Sequence, residues 1–580
     1  MVGWGEVIRW SPEPLAELVT VLNNRYNQLV GCADELRAAG IPEGWAGPAA
    51  NAAAAEAGRL AAVAEELAAE GAMVRRAAGD VSDAITGILH GVAEARTLAA
   101  AHEFQIGDDG SVTDHGPPPV CTEQDPDGSQ DTADRQRIAV ELRDRVREVL
   151  RSAEDVDNDF CAVLDRVLAG HVIAPGSEDT DLAAAGNSGW VLGSLSIPAP
   201  PPGATPADNA AWWATLSPNQ QAVLLRDHPE LLGNRDGLPG EIRSKANLAR
   251  IPAERAEIRQ RIDAVTQELA DLSSQSEVSP GAIQRVQDEI DQLEAKLGSL
   301  DAVEAAMRRP GERQLLTLDV SGDRVKAALA VGNVDTAEHV AVFTPGFTST
   351  VDRSLSGYDN DMQNLQQHSQ SLADRYGDGG QVATVTWMGY EAPQWSDVLG
   401  GNQSVVSDHL AKVGAEKLDG FLDGLGASHD STGNPLHLTA LGHSYGSLTT
   451  GIALQRDTPV DDAVVFGSPG LDADERSDLK VPDGHLFAAM SDRDSIPKLD
   501  MLDHFGVSPY DMPGVDRVDT GNAVSVDGAP LDATHTHSEY LQEGSTSQYN
   551  MAAIVAGRPE LRVPYAPAPP APVPQPPVRR

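Results

Sequence analysis

The run Leu441-Gly442-His443-Ser444-Tyr445-Gly446-Ser447 reads G-x-S-x-G, with strand-like residues 436–441 before it and a helix-compatible stretch to about Gln455 after it. A serine on a tight strand-to-helix turn presents its hydroxyl at the carboxyl edge of a sheet. Glycine fits at 442 and 446 because a side chain there would clash with a neighbouring strand or helix. The helix N-terminus behind the serine favours the negative charge that develops when a carbonyl is attacked. A free hydroxyl is a weak nucleophile at neutral pH, so the chemistry also needs a base and a carboxylate that orients the base. The pattern predicts acyl transfer through Ser444.

On a strand–turn–helix scaffold of this kind the order along the chain is serine, acid, histidine. The acid belongs in the loop after the second strand beyond the elbow, here Ser491-Asp492-Arg493-Asp494-Ser495-Ile496-Pro497. Asp494, followed by Ser-Ile-Pro, has the better spacing, and Asp492 reads as a local turn cap. The base comes later, in Thr534-His535-Thr536-His537-Ser538-Glu539-Tyr540. His537 is chosen over His535, and over His504, which precedes the last strand near Val515–Thr520. The H-x-H spacing suggests a metal, but the sequence offers no third ligand cluster, so neither metal nor cofactor is expected. Two backbone N–H groups must hold the oxyanion. Tyr445 supplies one; Phe347, in Thr344-Pro345-Gly346-Phe347-Thr348, is the candidate for the other. Trp387 and Tyr390, in Thr386-Trp387-Met388-Gly389-Tyr390, either line the pocket or pack beneath it.

The elements that must position these groups begin past Pro310. Short apolar runs (LLTLDV, VKAALAVG, HVAVFTPG, QVATVTWMG, LHLTALGHS, AVVFGSPG, HLFAAMSD) alternate with helical stretches. That alternation predicts a mostly parallel sheet with helices on both faces. The first two strands are expected to form an antiparallel edge hairpin through Ser321-Gly322. The pieces VFTPGFTST, VTWMGYEAP, LTALGHSYGSLTTG, the Asp494 loop with HFGVSP behind it, and HSEYLQEGSTSQYNMAAIVAG span roughly 315–557. There the chain resembles the actinobacterial α/β-hydrolase domain family of unknown function. WWATLSPNQQAVLLRDHPELLGNRDGLP resembles the segment that commonly precedes that domain. The resemblance implies the fold and a Ser444/Asp494/His537 triad, and brings no substrate with it. Phe347-Thr348-Ser349 stands where such proteins often carry a Gly/Thr-rich stretch.

The front half is helical. Leu15, Leu18, Leu22, Leu29 and Leu36 share one helix face, and Leu60, Val63, Leu67, Val74, Val81, Ile85, Ile88 and Val92 share another. Between them lies Trp45-Ala46-Gly47, with the tryptophan expected to fill the turn. Residues 1–105 resemble the Trp-Xaa-Gly helical hairpins of type VII secretion substrates, although no Tyr-x-x-x-Asp/Glu follows the second helix. Residues 106–131 read as linker, 132–170 as a helix, and 171–252 as Pro/Gly-rich linker with short helices. In that stretch Ser217-Pro218 opens a helix, and Trp212 and Trp213 serve packing. Ile258, Ile262, Val265, Leu269 and Leu272, then Ile283, Val286, Ile290, Leu293, Leu297 and Leu300, form two a/d seams. They predict an antiparallel coiled-coil hairpin over 253–308. The α/β domain follows over 310–560, then a Pro-rich tail over 561–580.

The 580 residues hold 87 acidic side chains against 43 Lys+Arg, a net charge of -44. So acidic a surface repels phosphate backbones, which excludes nucleic acid as a partner class. Cys32, Cys121 and Cys161 are far apart and odd in number, which excludes a disulfide framework and a zinc ribbon. No apolar run reaches the roughly 18 residues needed to span a bilayer. The N-terminus has no Sec-type signal pattern. The expectation is a cytoplasmic protein or one exported by a type VII-like route, acting on a small-molecule ester, lipid or amide. Its N-terminal helices offer a surface for a protein partner. An exported effector or toxin and a non-catalytic scaffold are the competing readings.

Overall fold

The computed structural model describes residues 2–39, 44–118, 129–171, 182–274, 279–394, 407–498 and 505–565. Cys121, His504, the tip of the 253–308 hairpin and the Pro-rich tail beyond 565 lie outside the described residues. The chain divides into two compact units, one chiefly of residues before 228 and the other chiefly of residues from 228 on.

The first unit is almost all helix. α1 (Trp4–Val7) precedes α2 (Glu13–Ala39) and the long α3 (Pro48–Ala101). α4 (Ser129–Leu168), α5 (Leu182–Leu192), α6 (Pro206–Ala214) and α7 (Pro218–Asp227) complete it. Trp45 does not fill the turn between α2 and α3; it is 46% exposed. Part of the expected first linker is a hairpin of β1 (Phe104–Ile106) and β2 (Val112–Asp114), anchored by the buried Phe104 ring beneath Arg135. α5 also lies in expected linker. Its Ala- and Gly-rich composition masks its role, which is close approach: a Cβ on Gly189 would stand 2.0 Å from the Ala69 carbonyl oxygen of α3. Ser217 caps α7 by accepting from the Gln220 N–H at 3.1 Å. Trp212 and Trp213 are buried, and the Trp212 indole donates to the Pro198 carbonyl.

In the second unit α8 (Gly240–Ser273) and α9 (Pro280–Met307) form the arm. Pro280 takes the first helical position, where its missing N–H costs nothing. Val265, Val286 and Ile290 meet in one apolar cluster; Ile258 joins Leu300 and Val303 in another. Arg255 bridges to Asp301 and Glu304, and Arg261 to Glu289, pairings that run antiparallel. α8 starts well before the expected arm and runs through Pro252. Its early turns have a different task. Ser244 accepts the Leu315 N–H, and Asn247 donates to the Leu315 carbonyl. Asn234, just before α8, exchanges two bonds with Leu318. These polar side chains satisfy the outer edge of the sheet, which would otherwise be open for pairing with another chain.

The sheet has eight strands: β3 (Arg313–Asp319), β4 (Lys326–Val331), β5 (His339–Thr344), β6 (Val382–Met388), β7 (His437–His443), β8 (Asp462–Phe466), β9 (Leu486–Ala489) and β10 (Asp516–Val518). The spatial order is β10-β9-β8-β7-β5-β6-β4-β3, parallel from β10 to β6 and antiparallel at β4 and β3. α10 (Val351–Tyr376) and α13 (Thr546–Val555) cover one face; α11 (His409–Thr432) and α12 (Tyr445–Ala453) cover the other. Alternate residues divide between the faces as the pleat requires: Val340 and Val342 pack under α11 and α12, Ala341 and Phe343 under α10 and α13. A small outlying pair, β11 (Ala523–Val524) and β12 (Pro530–Leu531), leads into the segment before α13. Asp359 of α10, fully buried, takes both Arg313 of β3 and Arg309 from the end of the arm, so three elements share one carboxylate.

At the amino ends of the parallel strands lies a second charged cluster. Asp462 accepts from His437 Nε2 and His485 Nδ1, each at 2.7 Å. His437 Nδ1 stands 3.1 Å from His339 Nδ1, whose Nε2 faces Asp378. Burial alone would lower His437, but the Asp462 bond and charge raise it above its ordinary value. The Asp462 bond likewise raises His485 against burial. Burial would raise Asp462, yet the two imidazoles hold it below the usual carboxylate range. The imidazoles, whose folded pKa values are raised, stabilise fully below an unfolded pKa of about 6.5, and this is lost as pH rises through the raised values. The carboxylate, whose folded pKa is depressed, stabilises above about pH 3.9 and loses that as pH falls through its folded value. Asp462→Asn is therefore expected to cost about 3 kcal/mol at its worst, between about pH 4 and 6.5, with the deficit shrinking above neutrality. Thermal melts of both proteins across that range check it; a deficit that grows with rising pH contradicts the assignment.

The outer part of the arm closes its seam on itself, while its base (Ile258, Leu300 and Val303) packs against β3 and β4, so removing only residues 262–296 is expected to leave the association state unchanged. Light scattering on the intact and shortened chains tests this, and a dimer that becomes monomeric only on deletion refutes it.

Candidate active site

β7 ends at His443, and Ser444 caps α12 with φ 54° and ψ -129°, a positive φ that L residues rarely adopt. Such strain costs on the order of 1–3 kcal/mol and persists only when its surroundings impose it. They do so here. The Ser444 N–H donates to the Phe466 carbonyl at 3.1 Å, and the Ser447 hydroxyl to the Ser444 carbonyl at 2.6 Å. A Cβ on Gly446 would lie 2.2 Å from the Thr344 carbonyl oxygen, so α12 starts against the end of β5 only because position 446 has no side chain.

The loop after β5 comes equally close. A Cβ on Gly346 would meet both Ser444 Cβ and Tyr445 N at 2.8 Å. As the first residue of α12, Tyr445 has an N–H with no partner inside its own helix. Phe347 follows Gly346 and packs, partly buried, on the core beneath α11 and α12. The Thr348 N–H is already committed to the Pro393 carbonyl at 2.9 Å. Tyr390 holds this loop from below: its hydroxyl donates to the Pro345 carbonyl at 2.9 Å. Trp387 and Tyr390 do not face an open pocket. Trp387 is 1% exposed, its ring stacked on Tyr390 with centroids 5.9 Å apart, and both belong to the core. Strand alternation sends Trp387 to the covered face, an outcome the sequence reading left open.

Asp494 and His537 meet beside the end of β8. His537 Nδ1 lies 2.9 Å from Asp494 Oδ2, and Asp494 is 1% exposed. Its other oxygen accepts the Ile496 N–H at 2.9 Å. A Cβ on Gly467, at φ 57°, would collide with both partners at 2.9–3.0 Å, so the residue after β8 is a floor for the pair. Burial would raise Asp494, but the His537 bond and charge, the Ile496 N–H and the Tyr540 hydroxyl outweigh it and hold the carboxyl below its ordinary range. Asp492 and His535 are exposed, and the His535 and Thr536 N–H groups donate to Glu539. Among the described residues no three His, Cys, Asp or Glu side chains converge as metal ligands.

His537 is tied to the elbow through its backbone. His443 Nε2 lies 2.8 Å from the His537 carbonyl oxygen, so that nitrogen donates, and the two rings are 4.7 Å apart. Burial, with the His537 charge adding to it, pushes His443 down to about 4, so it is neutral at pH 7. The Ser444 hydroxyl has no hydrogen-bond partner among the described residues. Sequence reasoning missed His443, Gly467 and Tyr540. His443 occupies the unspecified x of G-x-S-x-G, Gly467 follows a strand like many glycines, and Tyr540 reads as an ordinary apolar anchor.

Residues 321–504 match the alpha/beta hydrolase family. The chain is 34% identical over 235 residues to an uncharacterized protein of Mycobacterium tuberculosis strain H37Rv, covering 39% of this chain and 85% of that one. An uncharacterized protein of Mycobacterium bovis shows the same figures. A longer uncharacterized protein of Mycobacterium tuberculosis is 29% identical over 385 residues, 62% of this chain and 57% of its own length. With a mostly parallel sheet, a strained serine elbow at its carboxyl edge and a relative matched over most of its length, this chain belongs to the alpha/beta hydrolase family.

Proposed function

We propose that the protein is a serine hydrolase that cleaves an ester or related acyl compound through an acyl-enzyme on Ser444. The observation that most supports this is the bond between buried Asp494 and partly exposed His537, whose backbone is tied to the residue before the elbow serine. In this reading Ser444 Oγ bonds to the substrate carbonyl carbon while its proton passes to His537 Nε2. Asp494 keeps the Nδ1–H tautomer and stabilises the imidazolium, without taking the proton itself. The Tyr445 N–H, with Phe347 as second donor, holds the oxyanion. The bond to the leaving group then breaks as His537 returns the proton to it. Water, deprotonated by the same imidazole, releases the acid and restores Ser444. In this reading substrate binding brings the Ser444 hydroxyl within hydrogen-bond reach of His537 Nε2, since catalytic bonds often form fully only in the substrate complex.

A fluorophosphonate probe is expected to label the protein at Ser444, and Ser444→Ala to abolish labelling without unfolding the chain. Labelling that survives the change removes Ser444 from the mechanism. Asp494→Asn is expected to slow turnover of a chromogenic ester by up to roughly four orders of magnitude, as loss of the orienting carboxylate does in serine proteases. Asp492→Asn, on an exposed side chain, leaves the rate near wild type. The reverse ranking in a kinetic comparison means that the other carboxylate orients the base.

A further inference from the structure

His537 is not the only side chain of its loop that reaches Asp494. Three residues on, the Tyr540 ring turns inward, 1% exposed, against Phe466 at the end of β8 and His443 at the end of β7. Its hydroxyl lies 2.8 Å from Asp494 Oδ2 and accepts the Ser491 N–H, also at 2.8 Å. The direction of these bonds is decided by chemistry. A backbone N–H can only donate and an ionised carboxylate can only accept, so the phenol's one proton points at Asp494. The loops are laced around this contact: the Ser491 hydroxyl donates to the Thr534 carbonyl, and the Ser547 hydroxyl to the Tyr540 carbonyl. A single carboxylate oxygen thus receives two donors, the imidazole and the phenol, delivered by one short segment.

We propose that Tyr540 is a positioning residue for the base: its hydroxyl fixes the Asp494 carboxylate and draws charge from the oxygen that faces His537, keeping the imidazole less basic than Asp494 alone would make it. This rests on the reading of Ser444, Asp494 and His537 as nucleophile, acid and base. Without the hydroxyl, Oδ2 carries more charge toward the imidazole, the protonated imidazole is favoured, and a higher pH is needed to free the base. The Ser491 N–H also loses its buried acceptor. Among the described residues, the other titratable groups packed around the pair are His443, neutral at pH 7, and Tyr510, which burial raises. Asp492 and Arg493 on the acid loop and His535 on the base loop are exposed.

The test is the pH dependence of the rate at which the fluorophosphonate probe labels the intact protein, which needs no knowledge of the natural substrate. Tyr540→Phe is expected to lower the plateau rate about tenfold to a hundredfold and to move the acid-side midpoint up by about half a pH unit. Replacing Tyr540 with 3-fluorotyrosine, a stronger donor of the same shape, moves the midpoint down. A plateau loss with an unmoved midpoint, or midpoints that shift the same way in both variants, makes Tyr540 a packing residue only and overturns the proposal. Should Tyr540→Phe fail to fold, the direction of the fluorotyrosine shift decides by itself. Failure of the underlying reading looks different: the wild-type protein then goes unlabelled, or Ser444→Ala still labels, and the proposal falls with it.

Discussion

Helix α12 begins closer to strand β5 than any side chain at position 446 would permit. The Thr344 carbonyl occupies the place a Cβ would take. That approach forces the preceding residue into a positive φ, and Ser444 accepts the strain because bonds from both sides hold it. The loop after β5 is drawn onto the same turn through Gly346 and held from below by Tyr390. Moving α12 outward would relieve the serine and open the Gly346 approach, and His443, the residue just before the serine, donates to the His537 carbonyl. The backbone of one turn thus sets the relative positions of the hydroxyl, the amide donors and the imidazole.

The sheet carries carboxylate–imidazole pairs at both ends. Asp462 binds two imidazoles at the amino ends of β7 to β9, and Asp494 binds one beside the carboxyl end of β8. In each pair the carboxyl is held below its ordinary range against burial, chiefly by its imidazole. The difference lies in the backbone around them. At the carboxyl end the chain turns from strand into helix, so a helix N-terminus and its N–H groups face the same space as the pair. At the amino end there is no serine elbow, and the Asp462 cluster joins strand ends to one another. The two carboxylate–imidazole groups thus differ in what stands beside them: strand ends at one, and a positive-φ serine at a helix start at the other.

The remainder of the second unit keeps this sheet in register. The arm is more than a projection, because its first helix satisfies the free edge of β3 with Ser244 and Asn247. Asp359 ties the arm's end, the edge strand and α10 through two arginines, charges that burial makes costly to leave unpaired. α10 in turn begins where the loop that approaches the elbow ends, so the edge of the sheet and that loop share a rigid support.

The amino-acid sequence by itself determined the strands, because their alternation writes the two faces of the sheet into each run. It determined the elbow, because glycine on both sides of a serine between strand and helix answers a local steric demand. That Asp494 rather than Asp492 would be the carboxylate to meet His537 was expected from loop positions alone, and these two side chains are 2.9 Å apart. Other features were decided only in three dimensions. β2 and α5 sit in stretches whose polar or small residues read as linker, since the partners that order them lie outside those stretches. The register of β6 sent Trp387 into the core, and the turn after β6 laid Tyr390 on it. His443 and Tyr540 gained their places beside Asp494 and His537 only when β7, β8 and two distant loops converged. A periodic pattern records which way a side chain faces; a hydrogen bond between residues 46 positions apart, as Tyr540 and Asp494 are, leaves no local trace, because neither residue type nor spacing encodes where the other end of the chain arrives.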